Sequence, residues 1–244
     1  MEQELQLARE IQRTFLPDHL PTIPGWDMDV RWKPARQVAG DFYDIIHLEG
    51  SKLGLVIADV ADKGMPAALF MTLIRTLIRS TAKEHISPAA VLQQVNELLV
   101  PDAKNGMFVT VFYAVIDLAS GMITYANAGH NPPIIRHINS DDLIELSRTC
   151  AALGIYDEIE VDEGKVSLEP GDWLFLYTDG ITEAFSVNEE MFGTKRLFEL
   201  LLSRNYSTSK DFLDMIEKSV YEFINGADLS DDITLAMIIN KLHS

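Results

Sequence analysis

An apolar run from Leu53 to Ala58 ends on an acid, Asp59, a glycine follows at Gly64, and from Met65 apolar residues recur at helical spacing. That order predicts strand, turn and helix, with Asp59 at the strand end, where functional groups are commonly mounted. Three further acid positions repeat the arrangement. Asp41 follows Gly40 at the start of a strand-like run. Asp179 precedes Gly180 after Trp173–Tyr177. Asp231 and Asp232 precede the run Ile233–Ile239. Acids at the edges of four apolar strands, far apart in sequence, predict one site assembled by the fold.

The bulk numbers narrow the classes. At 244 residues the chain can bury one substantial core or at most two small ones. It is 47% hydrophobic and 23% charged, which fits a folded domain rather than a disordered one. A formal net charge of −17 repels phosphate backbones and argues against nucleic-acid binding. No apolar run approaches the ~18–20 residues of a membrane span. The single cysteine, Cys150, excludes an intramolecular disulfide and any multi-cysteine metal site, and suits a reducing cytoplasm.

Residues 1–16 read as a helix, with Leu5, Ala8, Ile11 and Phe15 as its apolar stripe and Pro17 as its stop. It begins without a cap, as expected if it ran in from an upstream segment. A proline-rich connection leads to Gly25, so the division predicted is a linker helix and connection over 1–25 and one domain over 26–244. Within it, strands are predicted from Trp26, over 41–48 and 53–60, 108–118 and 122–126, 132–137 and 143–146, 161–168, 172–178 and 233–240. Helices are predicted over 65–85, from Ser87 to Val100, over 194–203 and over 209–225. Hairpin strands and helices in consecutive pairs argue α+β rather than alternating βαβ.

Asp41, Asp59, Asp179 and Asp231 offer hard oxygen ligands only, with no histidine or cysteine beside them. Such a set favours magnesium, manganese or calcium over zinc or copper. Calcium loops supply their ligands locally, which these widely spread acids do not. Clustered carboxylates would repel, and two divalent ions would relieve this; such a pair clamps an in-line displacement at phosphorus. Competing chemistries lack their motifs. No arginine follows Cys150 as a cysteine-phosphatase loop needs, and there is neither a P-loop nor a Gly-x-Ser-x-Gly elbow. Asp27-Met28-Asp29 lies inside a predicted strand and has no threonine after it.

Five stretches in order carry a resemblance: Gly40-Asp41-Phe42-Tyr43-Asp44; Ala58-Asp59-Val60 with Lys63-Gly64 and Pro66–Leu69; Asn127–Pro133; Tyr177–Ala184; and Asp231–Leu235. Together they resemble the bacterial, RsbU- and SpoIIE-like branch of the metal-dependent (type 2C) serine/threonine protein phosphatases. Glu10-Ile11-Gln12 with Leu16-Pro17 resembles the linker helix before that domain. The resemblance implies an α+β fold of two packed antiparallel sheets flanked by helix pairs, an α-β-β-α sandwich. It implies hydrolysis of phosphoserine or phosphothreonine by a metal-activated water without a phosphoenzyme, with two Mn2+ or Mg2+ ions. Carried over by motif, Asp59 would bridge both ions, Asp179 and Asp231 would hold one, and Asp41 with the Val60 carbonyl would serve the other. Asp59, Asp179 and Asp231 would thus act catalytically through metal-bound water.

Ala61 stands where the eukaryotic branch has a histidine that protonates the leaving oxygen, so no general acid is assigned. Asp62 stands where many relatives have glycine; it could reach a metal or shape the turn. Asp44 and Asp232 are weaker candidates because each faces away from its neighbouring acid. Gly180 would allow close backbone approach at the metal edge. His130 is read as bracing a loop, and Lys63 as a solubilising turn residue or a phosphate contact. By resemblance the substrate is a phosphorylated STAS-type anti-sigma-factor antagonist in a partner-switching pathway. An upstream sensory domain or partner would act through the N-terminal helix, which could also pair in a homodimer. The alternative is a degenerate domain that binds a phosphoprotein without turnover; retention of all four acids disfavours it.

Overall fold

The computed structural model describes residues 2–103, 106–140, 142–203 and 208–242. It holds five helices and ten strands among these residues. Met1, the first residue of the predicted N-terminal helix, lies outside them. The chain divides into two compact units.

The first unit contains residues 1–19, 36–132 and 146–167. Its antiparallel sheet has the order β2 (Phe42–Leu48), β3 (Lys52–Val60), β4 (Val109–Asp117), β5 (Met122–Ala128) and β8 (Gly164–Ser167). Leu55, Val56 and Ile57 are all buried, so β3 is covered on both faces. This is why its sequence is a continuous apolar run rather than an alternating one. Helices α2 (Met65–Thr81) and α3 (Pro88–Leu99) bury Met71, Ile74 and Ile78, and Val91, Leu92 and Val95. Ser87 caps α3 by accepting from the Ala90 N–H, with Pro88 in the first turn. Helix α2 ends at Thr81 rather than at the predicted residue 85. The residues after it close on the last turn, His85 and Glu84 both donating to the Thr81 carbonyl.

Helix α1 (Glu2–Phe15) belongs to this unit and corrects the predicted stripe. Ile11 is 50% exposed and Leu7 57%, whereas Gln12 is buried.

The second unit contains residues 20–35, 133–145 and 168–244. Its antiparallel sheet runs β1 (Trp26–Lys33), β10 (Ile233–Asn240), β9 (Trp173–Tyr177), β6 (Ile134–Arg136) and β7 (Leu143–Glu145). Trp173, Phe175 and Tyr177 from β9 share a core with Leu197 and Leu201 of α4 (Gly193–Ser203) and with Phe212, Ile216 and Val220 of α5 (Ser209–Ile224). Trp173 and Phe212 meet with ring centroids 5.3 Å apart. Asp27 accepts from the Ser209 N–H at 2.6 Å, so a residue of the discarded Asp27-Met28-Asp29 motif serves the start of α5. No helix among the described residues is long and apolar enough to cross a membrane.

Candidate metal centre

Each unit brings two of the predicted acid stretches together. In the first unit β2 and β3 pair with Phe42 opposite Ala58. The residue before Phe42 is Asp41 and the residue after Ala58 is Asp59, so the hairpin register delivers both acids to one end of the sheet. Asp41 is buried and Asp59 half-buried. Gly40 lies against the turn beyond them: a Cβ there would sit 3.1 Å from the Val60 carbonyl oxygen and 3.2 Å from the Ala67 Cβ. A side chain there would be tightly packed, and its neighbours would have to shift by a few tenths of an ångström to admit it. Ala61 N–H donates to the Phe108 carbonyl at 2.9 Å and so fixes the chain just past Val60.

In the second unit Tyr177 pairs with Leu235. Beyond that pair the Thr178 N–H donates to the Thr234 carbonyl at 3.0 Å, and the Thr234 N–H donates to the Thr178 hydroxyl at 2.9 Å. The ladder is thereby carried to the doorstep of Asp179 and Asp231. A Cβ at Gly180 would overlap the Asp232 carbonyl oxygen. The Asp179-Gly180 turn and the Asp231-Asp232 turn are therefore in backbone contact. Asp179 and Asp231 are half-buried.

The weaker candidates divide. Asp44 is buried and its carboxylate is engaged: Arg79 Nε donates to one oxygen at 2.8 Å and Arg79 NH2 to the other at 2.7 Å, and Arg75 lies 3.2 Å away. The Asp44 hydrogen bond raises the Arg79 pKa, whereas burial lowers that of Arg75. Asp232 accepts from the Ala35 N–H at 2.8 Å, and Asp231 from the Asp232 N–H at 2.9 Å. Asp62 is exposed, has φ 92°, and accepts from the Lys63 N–H at 2.7 Å, the geometry of a turn former. His130 braces its loop: its N–H donates to Asn127, its ring Nδ1 lies 2.9 Å from the Thr110 hydroxyl, and its carbonyl accepts from Arg148.

Two functions were missed in the sequence. Thr178 ties its loop to β10 through its hydroxyl, and Gln12 is the buried polar side chain of α1. The signal for Gln12 was available: with Ala8 and Leu16 it falls at i, i+4, i+8, a stripe that the Ile11 assignment displaced.

The donors fit hard divalent cations. The candidate donors are carboxylates and a backbone carbonyl, and Gly40 and Gly180 let neighbouring backbone come close beside them. Among the described residues no three His, Cys, Asp or Glu side chains gather closely enough to form a cage by themselves.

Residues 49–239 match the family model of stage II sporulation protein E (SpoIIE). Protein IcfG of a Synechocystis species is 35% identical over 263 residues, covering 96% of this chain and 41% of IcfG. The phosphoserine phosphatase RsbU of Bacillus subtilis is 29% identical, covering 98% of this chain and 70% of RsbU. The chain thus spans less than half the length of IcfG. The SiaA-PP2C domain of Pseudomonas aeruginosa has the same fold, with a TM-score of 0.85 at 23% identity over 99% of this chain and 97% of that domain. With the family model matched from β3 through β10 and the acid-bearing turns set at the ends of paired strands, the chain belongs to the SpoIIE family and has the fold of a PP2C domain.

Proposed function

We propose that this chain removes phosphate from phosphoserine or phosphothreonine of a protein, using two divalent cations, Mn2+ or Mg2+. The observation that carries the reading is the pairing of acids with close-packed glycine turns: Asp41 and Asp59 beside Gly40, and Asp179 and Asp231 beside Gly180. Asp41, Asp59 and the Val60 carbonyl are assigned to cation binding in the first unit, and Asp179 and Asp231 in the second. Two such ions would supply charge neutralisation at phosphorus and lower the pKa of an attacking water. The carboxylates hold and orient; the glycines let the backbone segments beside them pack closely. In the net step a water oxygen bonds to phosphorus, the bond from phosphorus to the serine oxygen breaks, and that oxygen takes up a proton. Ala61 has no proton to give, so no residue of this chain is assigned as the donor. Asp44 is assigned to positioning through Arg75 and Arg79, and Asp62 to the turn.

In this reading the substrate is a phosphorylated STAS-domain protein, within a partner-switching pathway that regulates a sigma factor; the similarity to the phosphoserine phosphatase RsbU supports phosphoserine as the group cleaved. The same reading divides the chain into a linker helix with its connection over 1–25 and the phosphatase domain over 26–244. The exposed Leu7 and Ile11 on α1 suit contact with an upstream sensory domain, a partner or a second copy in a homodimer. The lone, half-buried Cys150 suits the cytoplasm. The test is phosphate release from a phosphoserine STAS-domain protein with and without Mn2+, comparing the native chain with Asp179→Asn. Release should need the metal and fall at least ~100-fold in the variant, as loss of a group central to the chemistry does. Metal-independent release, or equal rates, would overturn the assignment. Tight phosphoprotein binding with no turnover would favour the binding module instead.

A further inference from the structure

A carboxamide in the middle of a helix normally points to solvent, because burying its donors and acceptor without partners is costly. Gln12 of α1 is instead 4% exposed, and both ends of its amide are satisfied by one residue 27 positions on. Its Nε2 donates to the Ala39 carbonyl at 2.7 Å, and its Oε1 accepts from the Ala39 N–H at 3.0 Å. The side chain thus pairs with Ala39 as a neighbouring strand would. The amide orientation is fixed by this contact, since the reversed orientation would face donor to donor and acceptor to acceptor.

Ala39 is itself wholly buried and lies two residues before Asp41. On the far side of this short segment Gly40 packs tightly against the Val60 carbonyl and Ala67 of α2, 3.1 Å and 3.2 Å from where a Cβ would stand. Residues 39–41 are therefore held from two directions, by Gln12 of α1 and by the end of β3 with the start of α2. The clasp uses no charge, so it does not switch with pH.

We propose that Gln12 is a positioning residue for the cation site: its clasp on Ala39 sets where Asp41 stands, and so sets the affinity of the Asp41 and Val60 ligands for a divalent ion. This rests on the assignment of Asp41 as a ligand made above. Groups that orient a metal ligand influence affinity at a distance, because a carboxylate that must be ordered on binding binds less tightly.

The experiment is Mn2+ titration of the native chain, Gln12→Leu and Gln12→Glu by calorimetry, with folding checked by circular dichroism and amide exchange followed at Ala39. Leucine keeps the bulk and removes both hydrogen bonds. Glutamate keeps the acceptor for the Ala39 N–H and sets a carboxylate against the Ala39 carbonyl. Both folded variants should bind the ion assigned to Asp41 and the Val60 carbonyl about tenfold less tightly and exchange the Ala39 amide faster. Arg13→Ala, on the exposed face of α1, should match the native chain. Folded Gln12 variants with native Mn2+ affinity would overturn the inference, even if their melting temperature fell, because Gln12 would then only hold α1 down. If the native chain itself takes up no Mn2+, the metal reading fails and this inference with it.

Discussion

At Cys150 two effects compete and burial wins. Burial and the neighbouring Asp162 charge push its thiol from an ordinary 9.0 up to about 11, against a smaller opposing hydrogen bond from Thr149. A raised thiol pKa means less thiolate, the reactive form, at any pH below it. Near pH 8 the native chain should therefore alkylate with iodoacetamide roughly 100-fold more slowly than the urea-unfolded chain, with the rate climbing until pH nears 11. Equal rates in the two states would show that the thiol is not held in this environment. Asp62 poses a different question, whether its carboxylate or its backbone matters. At φ 92° a residue with a Cβ is strained and a β-branched one more so. Asp62→Gly should fold and retain phosphatase activity, whereas Asp62→Val should lose about 1–3 kcal/mol in urea unfolding. Loss of Mn2+ binding in the glycine variant would make Asp62 a ligand after all.

Among the elements, β2 and α2 are tied through the Asp44 carboxylate and through Arg79, which also donates to the Ile45 carbonyl at 3.3 Å. Asp44 sits between Arg79 and Arg75, and α2 is the helix that leaves the turn after Asp59. Asp44→Asn would leave two guanidinium groups facing each other without a counter-charge. The expected cost is about 2–3 kcal/mol, below the range for a fully buried pair because Arg79 is 40% exposed. Urea denaturation measures it, and a loss under 0.5 kcal/mol, the scale of an ordinary surface change, would show that the arginines find water as readily as Asp44. The elements were legible where local pattern decides. The apolar run of β3, the cap and proline of α3 and the turn chemistry of the β4–β5 hairpin all mark themselves. Pairings such as Trp26 with Asn240 were not, because nothing local in either strand encodes a partner more than two hundred residues away. Nor was the end of α2, where the apolar period runs on past Thr81 but the carbonyls of the last turn are already taken. At the site, acids next to glycines stood out in the sequence. The support around them did not, since Gln12, Thr178 and Arg79 act through hydrogen bonds to distant backbone and side chains.

For the whole molecule the dominant fact is a net charge of −17. Self-repulsion on that scale destabilises a compact chain at low ionic strength, and any salt relieves it by screening. A divalent cation should therefore raise the melting temperature for two separable reasons. Screening depends on ionic strength alone and is blind to which aspartates are present. Specific binding adds RT ln(1 + [L]/Kd), about 2.7 kcal/mol at a hundred times Kd. At roughly 2–4 °C per kcal/mol for a chain of this length, that adds about 5–10 °C. The comparison is thermal unfolding in Mn2+ against NaCl at matched ionic strength, for the native chain and for Asp179→Asn with Asp231→Asn. The native chain should gain the extra shift and the double variant should not, although both should respond alike to NaCl. Removing one negative charge per substitution also lowers the repulsion, so the double variant should start slightly more stable in low salt. If Mn2+ and matched NaCl shift the native chain equally, the acids are only part of a charged surface and the metal assignment fails. If the double variant keeps the full Mn2+ shift, the ion binds elsewhere, and the pairing of Asp179 with Asp231 has some other use.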